Sequence, residues 1–517
     1  MWMRAKAKKA PRMSPAINRR DFLKLSGLLP LSAAAPGVVK LLSRPQQTQG
    51  QNVMVVVFDA FSAFDISLYG YQRATTPNLA RLAKRAIVYH NHFAGSNFTT
   101  SGTASLLTGT LPWTHRAIQP DGQVAEPFTS KNIFGAFQDY YRLAYTHNGW
   151  AYTLLRQMEK EMNELIPREK LLLGGYDNFI ESLFNNDQDL ASVSWTRDMR
   201  LDDGYAYSLF LSHLLKVLQD GKIANLKPLF PRGLPTTGSD DGFLLEQAID
   251  WLGKLLPAVP HPFVGYFHFL PPHFPYNTSI EFYNHFKGDG YKPVEKPLDI
   301  FTDKRIFNNL LARRTEYDEF ILYVDREFGR LYDMLDQSGL LENTWVVFTS
   351  DHGEMFERGI VGHSTDVLYQ PVVRIPLLIF EPGRQMGEDV HVSTSAVDVL
   401  PTLAHLTGHA IPAWTEGKVL PPFAEPEVDR RLYVVRAKDD DPNAALTQAS
   451  TMIVRQQYKL LYYYGYQERG IKDFIRLYNI QKDPEELTDL SRKEKTVAQE
   501  LLNELKTKLA EVNKPYL

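Results

Sequence analysis

Two continuous apolar runs, Val53-Met-Val-Val-Val-Phe58 and Thr344-Trp-Val-Val-Phe-Thr349, constrain this chain more than any other feature. Neither alternates between apolar and polar residues. Each must therefore be buried on both faces, the condition of an inner strand in a mainly parallel sheet covered by helices. The first run ends in Asp59-Ala-Phe and the second in Ser350-Asp-His-Gly-Glu354. Ligands of open α/β sheets bind beyond the carboxyl ends of such strands. An aspartate there is also a common turn or cap residue, so Asp59 alone leaves both readings open. At the second strand end Asp351 and His352 stand adjacent, and the glycine after them permits a sharp turn.

The remaining patterns build the same α/β class. Ile87 to Phe93, Tyr141 to Thr146, Phe263 to Phe269 and Val372 to Phe380 read as further strands. Thr76 is placed to cap a helix that starts at Pro77. Asp240 to Leu256 reads as an amphipathic helix with an aspartate cap. Thr315 to Ser338 reads as a long one with Tyr317, Ile321, Val324, Phe328, Leu331 and Leu335 turned inward. The expected division is a catalytic domain over 52–411, with an insertion at about 155–239 above the active face, and a smaller α+β subdomain over 412–517. In the latter, Leu432 to Arg436, Thr451 to Arg455 and Tyr458 to Tyr464 alternate like strands. A final helix, about Lys493 to Val512, turns Val497, Leu501, Leu505 and Leu509 to one side.

Asn97-Phe-Thr-Thr-Ser-Gly-Thr-Ala-Ser-Leu-Leu-Thr-Gly109 predicts a helix that opens on hydroxyls and ends at a left-handed glycine. A hydroxyl at a helix mouth faces free N–H groups and the positive end of the dipole, which suits anions, although an ordinary capped helix has the same sequence. His273, inside Leu270-Pro-Pro-His-Phe-Pro-Tyr276, sits in a loop stiffened by three prolines, with a catalytic and a structural role both open. For His147, after Tyr141 to Thr146, a satisfied structural histidine is the default.

Basic residues, then Asn18-Arg-Arg-Asp-Phe-Leu-Lys24, precede an apolar stretch from Leu25 to Ala35. That resembles a twin-arginine export signal, so residues 1–51 are expected to be signal and linker, with the mature chain periplasmic or extracellular. Membrane contact is expected only through this segment, if it stays uncleaved. The formal net charge of −3 carries no general basic field, which argues against nucleic acid. Cysteine is absent, which removes disulfides, thiolate metal sites and a cysteine nucleophile.

In order and spacing, several of these motifs resemble the sulfatase family of the alkaline phosphatase superfamily. They are Val55 to Asp59 with Tyr69-Gly-Tyr and Thr76-Pro-Asn-Leu79, Thr99 to Gly109, Pro272-His-Phe-Pro-Tyr276, and Tyr317 to Asp325. Ser350 to Glu354 with Gly362-His363, Arg374-Ile-Pro, and Leu477 to Leu487 complete the set. The resemblance implies a mainly parallel sheet between helices with a smaller carboxyl-terminal antiparallel sheet. The family typically carries a Cys or Ser at the position of Thr99, followed by Pro-Ser-Arg, and oxidises it to formylglycine. Here the following step is Ser101-Gly-Thr103, and oxidation of a threonine would give a ketone. With no cysteine either, no formylglycine is expected, and Thr99 would act as an alkoxide nucleophile.

The family's usual all-oxygen metal set changes in step, because Asp59 is followed by Ala60 and Asp351 by His352. The remaining Asp59, Thr99, Asp351 and His352 are similar to the site of lipoteichoic-acid synthases and phosphoethanolamine transferases. One divalent ion is expected, zinc or manganese before calcium, because the set contains an imidazole. His273 or His363 would protonate the leaving oxygen. The expected function is hydrolysis of phosphate or sulfate esters, phosphate favoured, on a small-molecule, glycan or lipid substrate. The alternatives are a sulfatase without formylglycine, a cell-envelope phosphoryl-alcohol transferase, and a non-catalytic glycan- or lipid-binding relative.

Overall fold

The structure, a computed structural model, describes residues 50–173, 217, 221, 223–237, 242–302 and 309–517. The expected export segment, up to residue 49, lies outside these, as do most of the expected insertion and its Trp195, Tyr205 and Tyr207. Among the described residues, no helix is long and apolar enough to cross a membrane.

Eight strands form the main sheet: β1 (Asn52–Phe58), β2 (Ile87–Phe93), β3 (Tyr141–Thr146), β4 (Glu164–Leu165), β5 (Phe263–Phe269), β6 (Thr344–Thr349), β7 (Arg374–Phe380) and β8 (Glu388–Ser395). Their spatial order is β8-β2-β7-β6-β1-β5-β3-β4. Only β7 runs against the rest, so the sheet is mainly parallel, as the resemblance implied. β1 lies at its centre between β5 and β6, and its side chains divide between two cores. Met54, Val56 and Phe58 pack with Tyr317, Ile321 and Val324 on one face. Val53, Val55 and Val57 pack with Ala104, Leu107 and Leu400 on the other. This is the double burial that an unalternating strand requires.

Around the sheet lie α1 (Pro77–Leu82), α2 (Thr99–Thr108), α3 (Gly149–Gln157), α4 (Leu245–Leu255), α5 (Leu310–Gln337), α6 (Val399–Leu406) and α7 (Lys495–Asn513). Two capping expectations change. Thr76 occupies the cap position of α1 but its hydroxyl meets Ser67 Oγ at 3.0 Å. The free N–H groups of Asn78 and Leu79 go instead to the Asp325 carboxylate on α5, at 2.7 and 2.8 Å. A charged acceptor from another helix outcompetes a local hydroxyl. The cap of α4 is Leu244, with no side-chain bond, while Asp240 and Asp241 fall outside the described residues. β4, inside the stretch read as insertion, pairs with β3 and so extends the main sheet.

A second, antiparallel sheet of β9 (Arg431–Arg436), β10 (Ala449–Arg455), β11 (Tyr458–Tyr464) and β12 (Phe474–Asn479) follows. One face packs Ile453, Leu460 and Leu477 against Ala498, Leu501, Leu505 and Leu509 of α7. The other face packs Val434, Met452 and Leu461 against Phe93, Tyr369 and Val372 of the main body. At the join, Val435 N–H donates to Gly95 O at 3.0 Å and Ser96 Oγ donates to Val435 O at 2.7 Å. The small sheet is thereby stapled to the loop that leads into α2.

Candidate active site

The carboxyl ends of β1, β5 and β6 converge on one buried cluster. Asp59 follows β1, His268 lies near the end of β5, and Asp351 and His352 follow β6; all four are fully buried. α2 enters from the opposite face. Every residue of α2 is buried, and Gly109 closes the helix at φ +67°. Gly102 permits the close approach: a Cβ there would lie 2.2 Å from Asp351 O. That approach sets Thr99, the first residue of α2, with its Oγ1 3.2 Å from His352 Nε2.

Each donor atom is aimed by a second bond. Asp351 Oδ1 accepts the N–H groups of Ala60 (3.3 Å) and His352 (3.0 Å), leaving Oδ2 free. Asp59 Oδ2 accepts from Asn148 Nδ2, whose own Oδ1 caps α3 at the N–H groups of Trp150 and Ala151. His352 Nδ1 lies 2.9 Å from Gly353 O, so it carries the proton and Nε2 is left for Thr99 and the carboxylates. Asp59 Oδ1, Asp351 Oδ2 and His268 Nε2 are buried without a hydrogen-bond partner. Ligand atoms of Asp59, His268 and Asp351 all lie within 4.8 Å of one another. Orphaned acceptors converging in this way fit a divalent cation, and two imidazoles beside two carboxylates make a mixed nitrogen–oxygen donor set.

The electrostatics agree. Burial pushes the Asp59 carboxyl up, but the charge of His273 and the close imidazoles of His268 and His352 outweigh it and hold it well below the usual range. Burial and the neighbouring Asp59 raise Asp351. For His352 burial opposes the charge, yet Asp351 and Asp59 prevail and lift it to about 9. His352 is therefore an imidazolium at neutral pH in the metal-free protein, and a cation that takes its Nε2 must displace that proton.

His273 and His363 stand above this cluster. Their ring centroids are 4.9 Å apart, and His363 lies 4.2 Å from His352. His363 Nδ1 is 3.0 Å from Glu354 Oε1, and His273 Nδ1 is 2.6 Å from Phe274 O, so each is held through Nδ1. The structure thus brings together all six residues singled out from the sequence: Asp59, Thr99, His273, Asp351, His352 and His363. It adds His268, whose Nε2 is 3.5 Å from Asp59 Oδ2 and 3.8 Å from Asp351 Oδ2. The available signal was a single histidine inside an otherwise apolar strand, a pattern that reads as core. His147 is not part of the cluster and is not the satisfied histidine expected: it stacks on Phe243 with centroids 4.3 Å apart, and both its ring nitrogens are buried without a hydrogen-bond partner.

A profile of the sulfatase family matches residues 51–409, and one of N-sulphoglucosamine sulphohydrolase C-terminal regions matches residues 363–515. The chain belongs to the sulfatase family. As a member it is an ester hydrolase. It is 25% identical over 411 residues to an ulvan-active sulfatase of Formosa agariphila, covering 77% of this chain and 70% of that one. It is also 25% identical over 440 residues to a choline-sulfatase of Rhizobium meliloti, covering 80% and 77%. Among solved structures, the phosphonate monoester hydrolase of Agrobacterium radiobacter has the same fold, with a TM-score of 0.61, 19% identity and coverage of 90% and 96%.

A second hydroxyl–imidazole pair in this sulfatase-family chain, Ser105 Oγ and His115 Nε2 at 3.1 Å, has the look of a nucleophile and base. It is structural. His115 Nδ1 accepts the Ala117 N–H at 3.1 Å, so Nε2 carries the proton and donates to the serine, the reverse of what a base needs. Burial drops His115 to about 3. An unfolded chain would take up a proton near pH 6.5 that the folded one refuses. Stability from this site is complete above pH 6.5 and falls as pH drops towards 3, by about 1.4 kcal/mol per unit. Urea titrations at pH 7.5 and 4.5 should show the wild type losing about 2–3 kcal/mol relative to His115→Gln over that interval.

Proposed function

We propose that this chain is a metal-dependent hydrolase of phosphate mono- or diesters, working through a covalent intermediate on Thr99. The observation that carries the reading is the Thr99 hydroxyl at the amino end of a buried helix, 3.2 Å from His352 Nε2 and beside two aimed carboxylates. A bound divalent ion held by Asp59, His268, Asp351 and His352 would supply Lewis-acid chemistry at that point. The chain's own residues do the rest. The α2 N-terminus offers free N–H groups to the equatorial oxygens of the ester, where charge builds during displacement. Thr99 Oγ releases its proton to water and attacks the central atom in line; the bond to the alcohol oxygen breaks as the new one forms. His273, steadied through Nδ1, donates a proton to the departing alkoxide, whereas burial and the charges of His352 and His273 hold His363 well below its usual range and leave it the weaker acid. The same imidazole then takes a proton from water as the water attacks the ester on Thr99. The bond to Thr99 Oγ breaks, Oγ regains a proton from water, and the product leaves as inorganic phosphate from a monoester or as a phosphomonoester from a diester.

Phosphate is favoured over sulfate by the nucleophile. A formylglycine hydrate expels sulfate by elimination, whereas an ester on threonine must be hydrolysed. The competing reading is a sulfatase without formylglycine, favoured by the sulfatase names of the relatives. The deciding assay compares p-nitrophenyl sulfate, p-nitrophenyl phosphate and bis-p-nitrophenyl phosphate on metal-reconstituted protein. Faster phosphoester turnover, with an adduct mapped to the Thr99 peptide, is the expected result. Dominant sulfate turnover would install the competing reading, and silence on all three would overturn both.

A further inference from the structure

The small sheet reaches the active site through one side chain. Beyond β9 the chain runs Arg436-Ala-Lys438, directly after the Val435 staple to Gly95 and Ser96. The half-buried Lys438 side chain donates from Nζ to Ser364 Oγ at 3.3 Å, and its ammonium stands 5.7 Å from the Phe98 ring. Phe98 immediately precedes Thr99, and Ser364 immediately follows His363. The two loops are themselves tied, since Asn97 Nδ2 donates to Thr365 O at 2.9 Å and to Val367 O at 3.1 Å. Lys438 therefore stands at the rim between the hydroxyl and one imidazole of the site.

The acids around it are mainly engaged with other partners, although Asp439 and Asp366 still act on its charge. Arg436, two residues earlier, pairs with Asp366 at 2.6 Å and with Asp439 at 2.7 Å. Asp366 also takes Arg469. Asp440 accepts the N–H groups of Thr447 and Gln448 and the Thr447 hydroxyl. Among the described residues no carboxylate pairs with Lys438. A half-buried ammonium that no carboxylate pairs, beside the loops that carry Thr99 and His363, is placed to take a substrate's negative charge.

We propose that Lys438 is a substrate-binding residue, donated by the small sheet, whose ammonium takes an anionic oxygen of the ester substrate at the mouth of the site. This rests on the reading of the Thr99 cluster as an ester-hydrolysing centre, and it explains why the two sheets are fastened at Gly95 and Ser96. The oxygen has two sources: the reacting phosphate or sulfate itself, or a second acidic group on the alcohol it esterifies.

Calorimetry on the metal-loaded full chain separates them, with inorganic phosphate, inorganic sulfate and a disulfated glucosamine as probes. Lys438→Gln keeps most of the stem and the Ser364 contact, so folding should hold, with an unchanged melting temperature as the check. A charge-assisted hydrogen bond lost at this place is expected to weaken binding about tenfold, with Lys438→Arg recovering most of it. Weakening for inorganic anions and sugar alike assigns Lys438 to the reacting group. Weakening confined to the doubly charged sugar assigns it to the second acid. Equal affinity of wild type and Lys438→Gln for all three probes overturns the proposal while leaving the Thr99 reading intact, provided the wild type turns over esters. Failure of the wild type to bind any probe overturns both.

Discussion

Replacing Thr99 with alanine is expected to lower turnover by about 10⁴-fold or more, while Thr99→Ser retains measurable activity. The argument is geometric. Thr99 is the hydroxyl within reach of His352 Nε2, and α2 is buried along its whole length, so no neighbouring residue can swing in to replace it. Thr100 and Ser101 spend their hydroxyls on the carbonyls of Pro120 and Ala117. The fold should barely register the change, because one net hydrogen bond is worth about 1 kcal/mol. Steady-state rates with the best substrate of the panel, beside a melting curve, test both halves. Alanine turnover within tenfold of wild type would remove Thr99 from the chemistry and point to water as the attacking group.

The second large effect concerns Asp351→Asn, and its two parts have opposite signs. In metal-free protein two buried carboxylates face one another, and Asp351 is raised by its burial and by the charge of Asp59. Neutralising one of them removes that conflict. Because a carboxyl raised in the folded state keeps a proton that the unfolded chain has already lost, the gain grows as pH climbs above the ordinary carboxylate range and is complete once pH passes the folded value. At pH 8 the metal-free variant should be more stable than metal-free wild type, on the order of 1 kcal/mol. Added zinc or manganese should reverse the ranking. Wild type gains about 2.7 kcal/mol at a hundredfold excess over Kd, and the variant gains little. Activity should fall by about 10³-fold, since several kcal/mol of charge stabilisation depend on the occupied site. Melting temperatures of both proteins, with chelator and with metal, measure all of this. A variant that is less stable in chelator and still responds fully to metal would remove Asp351 from the ligand set.

The sequence was most legible where burial leaves no choice. β1 and β6 show as unbroken apolar runs because both faces are covered, and Asp59, Asp351 and His352 show because they end such runs. Thr99 was singled out by the order of the family's motifs, because its own stretch reads equally as an ordinary capped helix. His268 was not, because a histidine between Phe267 and Phe269 is equally a core residue until the neighbouring strand ends are known. Lys438 was hidden for a different reason. Its neighbours come from loops far away in the chain, and nothing in Arg-Ala-Lys-Asp announces them. β12, with Arg476 and Asn479 among its apolar positions, also lacked the alternation that marked β9 to β11. The cap misread at Thr76 has a plain cause: local capping rules see only neighbours in sequence, while the acceptor for α1 came from α5.

The bond between Thr99 and His352 spans 253 residues, and that between Ala60 and Asp351 spans 291. Such separations govern the order in which the molecule can assemble. Helices and neighbouring strands form from short-range contacts, but the donor set closes only when β6 docks beside β1, one of the last and slowest events available to a chain of this topology. Until then Asp59 and His268 lie on a sheet that lacks the strand carrying their partners. A refolding chain should therefore recover most of its secondary structure before it can capture a divalent ion, and metal uptake would report completion of the fold rather than its beginning.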